Sequence, residues 1–346
     1  MPTIRDVAKA CGVSAMTVSA VLNNRPGYAS TETRQRVLKV VEEMRYQPNA
    51  VARGLTRRRM NTLGIVMSFE GKLSITADRY LSPIIDGIVA AGKSCHQRVL
   101  VITEDHWEEV QENLSSYLDG HCDGLIFILP ILPEGAFEPL MKRQIPLVIV
   151  GDNRPEAGVA VVDLDNVGAA RDAVRFLREQ GHRRIAFLQG DRFLLSSSER
   201  ESGYRLALEE GGIAYDERLV VPGEYNARSG YERTQRLLSG HPVLRPTAIF
   251  CGDDSIALGA QQALQEQGLR IPEEMSLIGV NDDKEASLMQ PGLTTVRQPL
   301  RLMGEMAVDM VLAQISRAGA ARRKILLDGE LVIRESVGPV PRSLTP

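Results

Sequence analysis

The side chains best suited to nucleophilic or metal chemistry in this 346-residue sequence are four cysteines and five histidines. Cys11, Cys95, Cys122 and Cys251 lie far apart and match no zinc or redox spacing, so they read as reduced thiols in or near cores. His96, His106, His121, His182 and His241 stand singly, as surface or helix-end residues do. Ser196, Ser197 and Ser198 read as a polar loop rather than a cluster of nucleophiles. No GxGxxG follows a strand pattern, no P-loop lysine motif occurs, and there is no GxSxG elbow. An enzyme is not expected, and neither a cofactor nor a bound metal is suggested.

The chemistry that the sequence does offer is ionic. Residues 1–61 hold eleven Lys/Arg against four Asp/Glu, a balance of +7; the formal charge of -3 overall leaves -10 for the rest. A small basic module on an acidic body points to a polyanion as partner of the module alone. The stretch "YQPNAVARGLTRRRMN" sharpens this. Pro48 can open a helix, but residues 49–55 give only about two turns and include Gly54, too little to hold as a helix alone in water. A partner chain or DNA is needed to order it, and Arg57, Arg58 and Arg59 would then lie beside phosphates. An ordinary solvated linker is the plain alternative.

The elements that must position these residues can be read from caps and periodicity. Thr3 and Asp6 form a variant capping box before a helix from Ile4 to Ala10, which Gly12 stops. Ser14 caps a second helix, about Ala15 to Leu22, closed by Asn23-Asn24, and "CGV" joins the two in the manner of a helix-turn-helix. Ser30 caps a third helix with Val37, Leu38, Val41 and Met44 on one stripe. Val7, Val18, Val21, Leu38 and Val41 are the expected shared core.

From Leu63 the texture changes to apolar strands alternating with amphipathic helices. Strands are expected at "TLGIVMS", "RVLVITE", "GLIFILP", "PLVIVGD", "AVVDLD", "RRIAFLQG", "TAIFCGD" and "MSLIGVND". Helices are expected at Leu81 to Lys93, Val110 to Leu118, Asn166 to Gln180, Ser202 to Glu210, Ala227 to Leu238 and Asp254 to Gln267. This is the signature of parallel βαβ sheets, which bind ligands at the carboxyl ends of their strands. No run of eighteen apolar residues occurs, and "MPTIRDVAKACG" lacks the layout of a signal peptide, so a cytoplasmic protein is expected.

The N-terminal residues "TIRDVAKACGVSAMTVSAVLNNRPGYASTETRQRVLKVVEEMRYQPNAVARGL" resemble the headpiece of the lactose-repressor/galactose-repressor family of bacterial regulators, in the "VS..TVS.VLN", "TR..V" and "Y.PN..AR.L" segments. The resemblance implies an α/β chain: an all-α helix-turn-helix headpiece with a hinge helix, then a two-lobed, periplasmic-binding-protein-like body of parallel sheets. It implies a headpiece over 1–47, hinge helix and linker over 48–61, and an effector-binding and dimerisation body over 62–346. The first lobe would span about 62–162 and 292–322 and the second about 163–291 and 323–340, with crossings near Asp163, Pro291 and Arg323. In this family the second helix lies in the major groove and paired hinge helices enter the minor groove. Leu55 would be the wedge between base pairs, flanked by Ala52 and Arg53. The implied DNA-contacting residues are Thr3, Ser14, Ala15, Met16, Thr17, Ser19, Asn23, Ala52, Arg53, Leu55 and Arg57, with Arg34, Arg58 and Arg59 adding phosphate contacts.

The chain departs from the family at the reading helix. Ala15, Met16 and Ala20 occupy positions where relatives carry longer polar residues, and Met16 can offer only apolar contact, for example to a thymine methyl. Reliance on the hinge and on DNA shape is expected instead. In the body the resemblance places Asp152, Arg200, Tyr225, Asp253, Asn281 and Gln298 in the inter-lobe cleft, and Ser68, Phe69 and Tyr80 near its first-lobe wall. Asp254, at a strand end, is an effector residue or an N-cap with equal weight. A sugar ring fits such acceptors, donors and an aromatic face. The expected protein is a dimeric repressor on a palindromic DNA operator, controlled by a sugar. A nucleobase or other metabolite is the alternative effector, and a sugar-binding transport protein the alternative class. The C-terminal "VGPVPRSLTP" has no leucine heptads, so a homodimer is favoured over a tetramer.

Overall fold

A computed structural model describes residues 2–47, 59–68, 74, 78–113, 117, 119–132, 135–153, 158–239, 245–316 and 323–340. The chain forms two compact units, Met1–Met60 and Asn61–Pro346. In the first unit, Thr3 accepts from the Asp6 amide while the Asp6 carboxylate accepts from the Thr3 amide at 2.7 Å, starting α1 (Ile4–Cys11). Gly12 closes it at φ 64°, a left-handed cap that glycine adopts without strain. Ser14 Oγ accepts from the Thr17 amide at 3.0 Å and starts α2 (Ala15–Leu22); Ser30 does the same for α3 (Thr31–Glu43) through Thr33. Val7, Val18 and Val37 are fully enclosed at the centre, with Ala8, Cys11 and Val21 around them. Leu38 is not part of this core: it is 45 % exposed, and Val40 packs against the cluster where Leu38 was expected, because the burying face of α3 runs through Val37, Val40, Val41 and Met44.

The second unit contains two six-stranded sheets. The first takes β1 (Thr62–Ser68), β2 (Arg98–Glu104), β3 (Gly124–Ile128), β4 (Leu147–Val150), β5 (Ala160–Leu164) and β11 (Lys324–Leu327), all parallel, in the order β11-β5-β4-β3-β1-β2. The second takes β6 (Ile185–Leu188), β7 (Val220–Val221), β8 (Ala248–Cys251), β9 (Ser276–Asn281), β10 (Thr294–Arg297) and β12 (Glu330–Val332), in the order β12-β10-β9-β8-β6-β7, with only β12 antiparallel. On the first sheet lie α4 (Leu81–Ser94), α5 (Trp107–Asn113), α6 (Glu138–Lys142) and the later α11 (Leu300–Ser316); α7 (Asn166–Glu179), α8 (Leu195–Glu210), α9 (Ala227–Ser239) and α10 (Asp254–Glu266) cover the second. The strands are near-continuous apolar runs because both faces are covered. Where α4 crosses α11, a Cβ on Gly87 would stand 2.1 Å from the Arg301 carbonyl oxygen, and one on Gly304 2.1 Å from that of Ile84.

The α/β architecture with a helical headpiece is the one expected. The first lobe crossing follows Leu164, beside the expected Asp163, but the other two differ from expectation. The second follows Arg297 rather than Pro291, because β10 pairs with β9 in the second sheet. The third lies between β11 and β12, not near Arg323, because β11 pairs with β5. A four-residue strand such as "TTVR" carries too short a pattern to specify a sheet, and β11 finds its partner β5 far earlier in the chain. Helix α8 starts at Leu195 rather than Ser202, so Ser196, Ser197 and Ser198 are helical rather than a loop. Helix α5 begins at Trp107, three residues before the expected Val110, because Trp107 packs into the core under β3. His182 is not at the surface: it is fully buried, with Nδ1 2.9 Å from Thr247 Oγ1 and Nε2 3.0 Å from both Ser276 Oγ and the Gly338 carbonyl. Cys95 is exposed, and Cys11 and Cys251 are buried free thiols.

Candidate nucleic-acid and effector sites

In the headpiece unit, α2 presents a side of short groups. Met16 is 70 % exposed; Ala15, Thr17, Ser19 and Asn23 are half-buried and Ser14 is exposed. Their polar atoms bond locally: Ser14 Oγ lies 2.9 Å from Thr17 Oγ1, and Asn23 Nδ2 donates to the Ser19 carbonyl at 2.7 Å. Thr3 Oγ1 donates to Asp6 Oδ2 at 2.8 Å. Arg34 Nη2 donates to Asn24 Oδ1, pinning the loop between α2 and α3. Ala20, expected on the reading surface, is only 4 % exposed, because it falls on the inward face of α2 with Val18 and Val21. The exposed cations Arg5, Lys9, Arg25, Arg36, Lys39 and Arg45 give the unit its basic surface. Ala52, Arg53, Leu55, Arg57 and Arg58 lie outside the described residues, as does the expected hinge helix; Arg59 is exposed.

In the body, the second sheet reverses its strand order between β6 and β8, the topology that creates a crevice at the strand ends. Gly190 and Gly252 follow those two strands. A Cβ on Gly190 would fall 1.9 Å from Tyr225 Cζ, so the absence of a side chain there is what seats the tyrosine ring. Arg200, 4 % exposed, donates from Nε to Asn166 Oδ1 at 2.9 Å and from Nη1 to the Gly252 carbonyl at 2.5 Å. Its guanidinium carbon lies 5.9 Å from the centre of the Tyr225 ring. Asp253 Oδ1 accepts from the Ile256 amide at 2.7 Å, so the N-cap of α10 is Asp253 and not Asp254. Asp254 is buried beneath it, accepting from Thr295 Oγ1 at 2.6 Å and from the Asp283 amide at 2.9 Å. Asn281, with φ 129°, accepts through Oδ1 from Gln298 Nε2, so these two expected effector residues form a pair of their own.

The first lobe brings Asp152, 5 % exposed, at the end of β4. A Cβ on the preceding Gly151 would fall 2.4 Å from the Tyr80 hydroxyl. The Tyr80 phenol is pushed well above its ordinary range, first by burial and then by the Asp163 carboxylate, with Arg200 opposing and Tyr225 and Asp152 adding to the rise. Tyr80 therefore sits electrostatically among Asp152, Asp163, Arg200 and Tyr225, from both lobes. Sequence reasoning left Tyr80 undecided and missed the polar chain behind it. Lys324 Nζ donates to Asn153 Oδ1 at 2.6 Å; Asn153 Nδ2 donates to Glu199 Oε1 at 2.7 Å; Asn166 Nδ2 donates to Glu199 Oε2 at 3.2 Å; and Asn166 holds Arg200. The signal lay in "DLDN" and "SERESGY", where acids interrupt buried elements. Burial pushes Asp163 up to about 7, with Glu199 adding to the rise, and Asp253 up to about 6 against the pull of Arg200, Arg79 and Arg233.

A helix-turn-helix unit followed by a two-lobed α/β body with ionic groups gathered at its strand ends defines a ligand-responsive DNA-binding regulator. Residues 3–49 match the bacterial regulatory proteins of the lacI family, and residues 174–337 match the periplasmic binding protein-like domain. The HTH-type transcriptional repressor PurR of Klebsiella pneumoniae subsp. pneumoniae is 33 % identical over 347 residues, covering 99 % of this chain and 98 % of that protein. Among solved structures, a Lac repressor dimer bound to operator and the anti-inducer ONPF superposes with a TM-score of 0.84 at 28 % identity, covering 97 % of this chain and 99 % of that one. A complex of the transcriptional regulator CelR with cellobiose superposes at 0.73 with 32 % identity, covering 97 % and 100 %. The chain belongs to the lacI family and is a transcriptional regulator, as its relatives are. Among the described residues no helix is long and apolar enough to cross a membrane, and no group of His, Cys, Asp and Glu side chains could hold a metal ion.

Proposed function

We propose that this regulator is a repressor that binds a palindromic operator as a homodimer and is switched by a sugar in the inter-lobe cleft. The observation that carries the sugar is the mix of groups around Tyr80 and Tyr225: the buried Arg200 guanidinium and the carboxyls of Asp152, Asp163 and Asp253. Sugar hydroxyls both donate and accept, so they bridge such groups, while a C–H ring face packs on a tyrosine. The nucleobase reading draws on the same two tyrosines, which suit a planar ring, and on the relative named PurR. The dimer reading draws on β2, a sheet edge with Leu100 and Val101 each over 40 % exposed, beside α4 with Val89 at 46 %. Operator contact would fall to Met16 and its neighbours on α2, with Ala52, Arg53, Leu55 and Arg57 supplying the hinge contacts and cytoplasmic DNA the target.

Thermal-shift measurements on the purified protein with mono- and disaccharides, sugar phosphates and purine bases test this reading. A ligand that binds only the folded state raises Tm with concentration. A shift with one sugar that disappears in Arg200→Ala supports the proposal. A shift with purines alone would replace the sugar by the nucleobase.

A further inference from the structure

We propose that Arg79 is a clamp between the two lobes, a first-lobe cation whose attachment to second-lobe acceptors holds the cleft closed and sets how readily it admits an effector. The inference rests on the effector reading of the cleft and concerns its regulation. Arg79 stands two residues before α4. The segment is fixed by Asp78, whose Oδ1 accepts from the Tyr80 amide at 3.0 Å and the Leu81 amide at 2.8 Å. From there the guanidinium reaches two separate segments of the second lobe. Nη1 donates to Ser255 Oγ at 3.1 Å, on the first turn of α10, and Nη2 lies 3.1 Å from Glu285 Oε1. Nε lies 4.0 Å from Asp283 Oδ2.

The Asp283 contact gives the clamp its leverage. The Asp283 side chain is 4 % exposed, and its Oδ2 makes no hydrogen bond. A carboxylate taken out of water without compensation is costly, and removing its counter-charge more so. Its neighbours make matters worse: Asp253 and Asp254 lie beside it, and Asp282 and Glu285 flank it in sequence. Burial and the Asp253 charge push Asp283 up to about 7, with Arg79 pulling the other way. Parting the lobes would remove Arg79 from this acidic group. The next residue, Tyr80, reaches Gly151 and the Arg200 surroundings, so one short segment carries both an effector-facing ring and the clamp. It leads directly into α4, which Gly87 and Gly304 lock to α11. An effector that favours one lobe spacing would thereby act on α4, and only through its differential affinity for the two spacings.

Hydrogen–deuterium exchange on the full-length protein tests the clamp without an effector. In Arg79→Ala, amides of residues 78–90 and of residues 283–289 are both expected to exchange several-fold faster, with β3 and β8 unchanged. Arg79→Lys should give an intermediate effect, since a compact ammonium lacks the spread of the guanidinium fork across acceptors on separate segments. Molar NaCl on the parent protein should move both segments in the same direction. Faster exchange confined to residues 78–90 would mean only a damaged helix start, and would overturn the proposal, as would no change in either segment. Failure of the effector reading appears instead in the Arg200→Ala thermal shifts, so the two are separable.

Discussion

The face of α2 and the cleft of the body solve recognition in opposite ways. On α2 the candidate contacts are a thioether, two hydroxyls already bonded to each other and an amide bonded to its own helix. At the strand ends of the body, Arg200, Asp163, Asp253 and Asp254 are each under 8 % exposed and each is hydrogen-bonded. Size explains the difference. A headpiece of three short helices encloses only a handful of side chains, so it has nowhere to desolvate an ion. Two covered sheets supply many buried positions and enough partners to satisfy charged groups there. The headpiece therefore relies on peripheral charge and the cleft on buried charge, and substitutions should have very different weights in the two places.

The largest effect is expected from Arg200→Ala. It strands the Gly252 carbonyl and the Asn166 amide oxygen, so the body should lose about 3 kcal/mol of unfolding free energy in urea melts. Arg200→Lys should recover only part, since an ammonium cannot repeat the two-sided geometry. Equal, small losses for both variants would contradict the view that the cleft is held by this guanidinium.

The next effect is in pH. Asp163, Asp253 and Asp283 have folded values raised to about 7, 6 and 7 by burial above an ordinary value of 3.8. The stability tied to such a group is fully present below about pH 4 and is lost as pH rises through the raised value. The body should therefore lose stability between about pH 4 and pH 7, on the order of a few kcal/mol per buried carboxyl at most. Asp163→Asn should flatten that slope while leaving the headpiece transition unmoved. A Tm of the body that rises steadily from about pH 4 to pH 7 would sink this reading, since it requires carboxyls with depressed values.

These weights also explain what was legible in the sequence. The headpiece helices could be read because caps and glycines act locally: Thr3, Asp6, Gly12, Ser14 and Ser30 each do what their chemistry dictates. The strands were legible as apolar runs. Which sheet β10 and β11 join was not, because β10 is too short and mixed in polarity to specify a sheet and β11 pairs with β5 from far earlier in the chain. Asp163 and Glu199 gave only a faint signal for a related reason: an acid in "VVDLD" or "SSSERES" looks solvated until the other lobe is brought against it. Ala20 failed differently, since an alanine fits an inward or outward face equally and only the packing of α2 on α1 and α3 chooses. Arg79 stood in "SITADRYL", where nothing marks a cation as crossing to another lobe.

A smaller effect is expected at the start of the reading helix. Ser14→Ala removes the acceptor for the Thr17 amide and should cost the headpiece about 1 kcal/mol. Amide exchange of α2 should rise by the corresponding factor, with the body unaffected. Ser14→Asp restores an acceptor, and should restore stability while adding a negative charge on the side proposed to face phosphate. Stability retained with weaker binding to operator DNA would thus separate the structural from the recognition role of this position.

The smallest effect on stability, and the sharpest test of the comparison, is at Met16. At 70 % exposure its side chain is mostly in water, so Met16→Ala should change folding by less than about 0.5 kcal/mol. Against a selected operator, loss of an apolar contact to a base should weaken binding by a few-fold, with little change in salt dependence because no phosphate contact is lost. A variant such as Arg36→Ala should do the reverse, reducing the salt slope by about one phosphate contact while leaving base preference intact if that cation meets the backbone. If Met16→Ala alters the salt slope, or leaves base preference wholly untouched, then the face of α2 does not read bases through its apolar group, and the contrast drawn with the cleft would have to be redrawn around the headpiece cations alone.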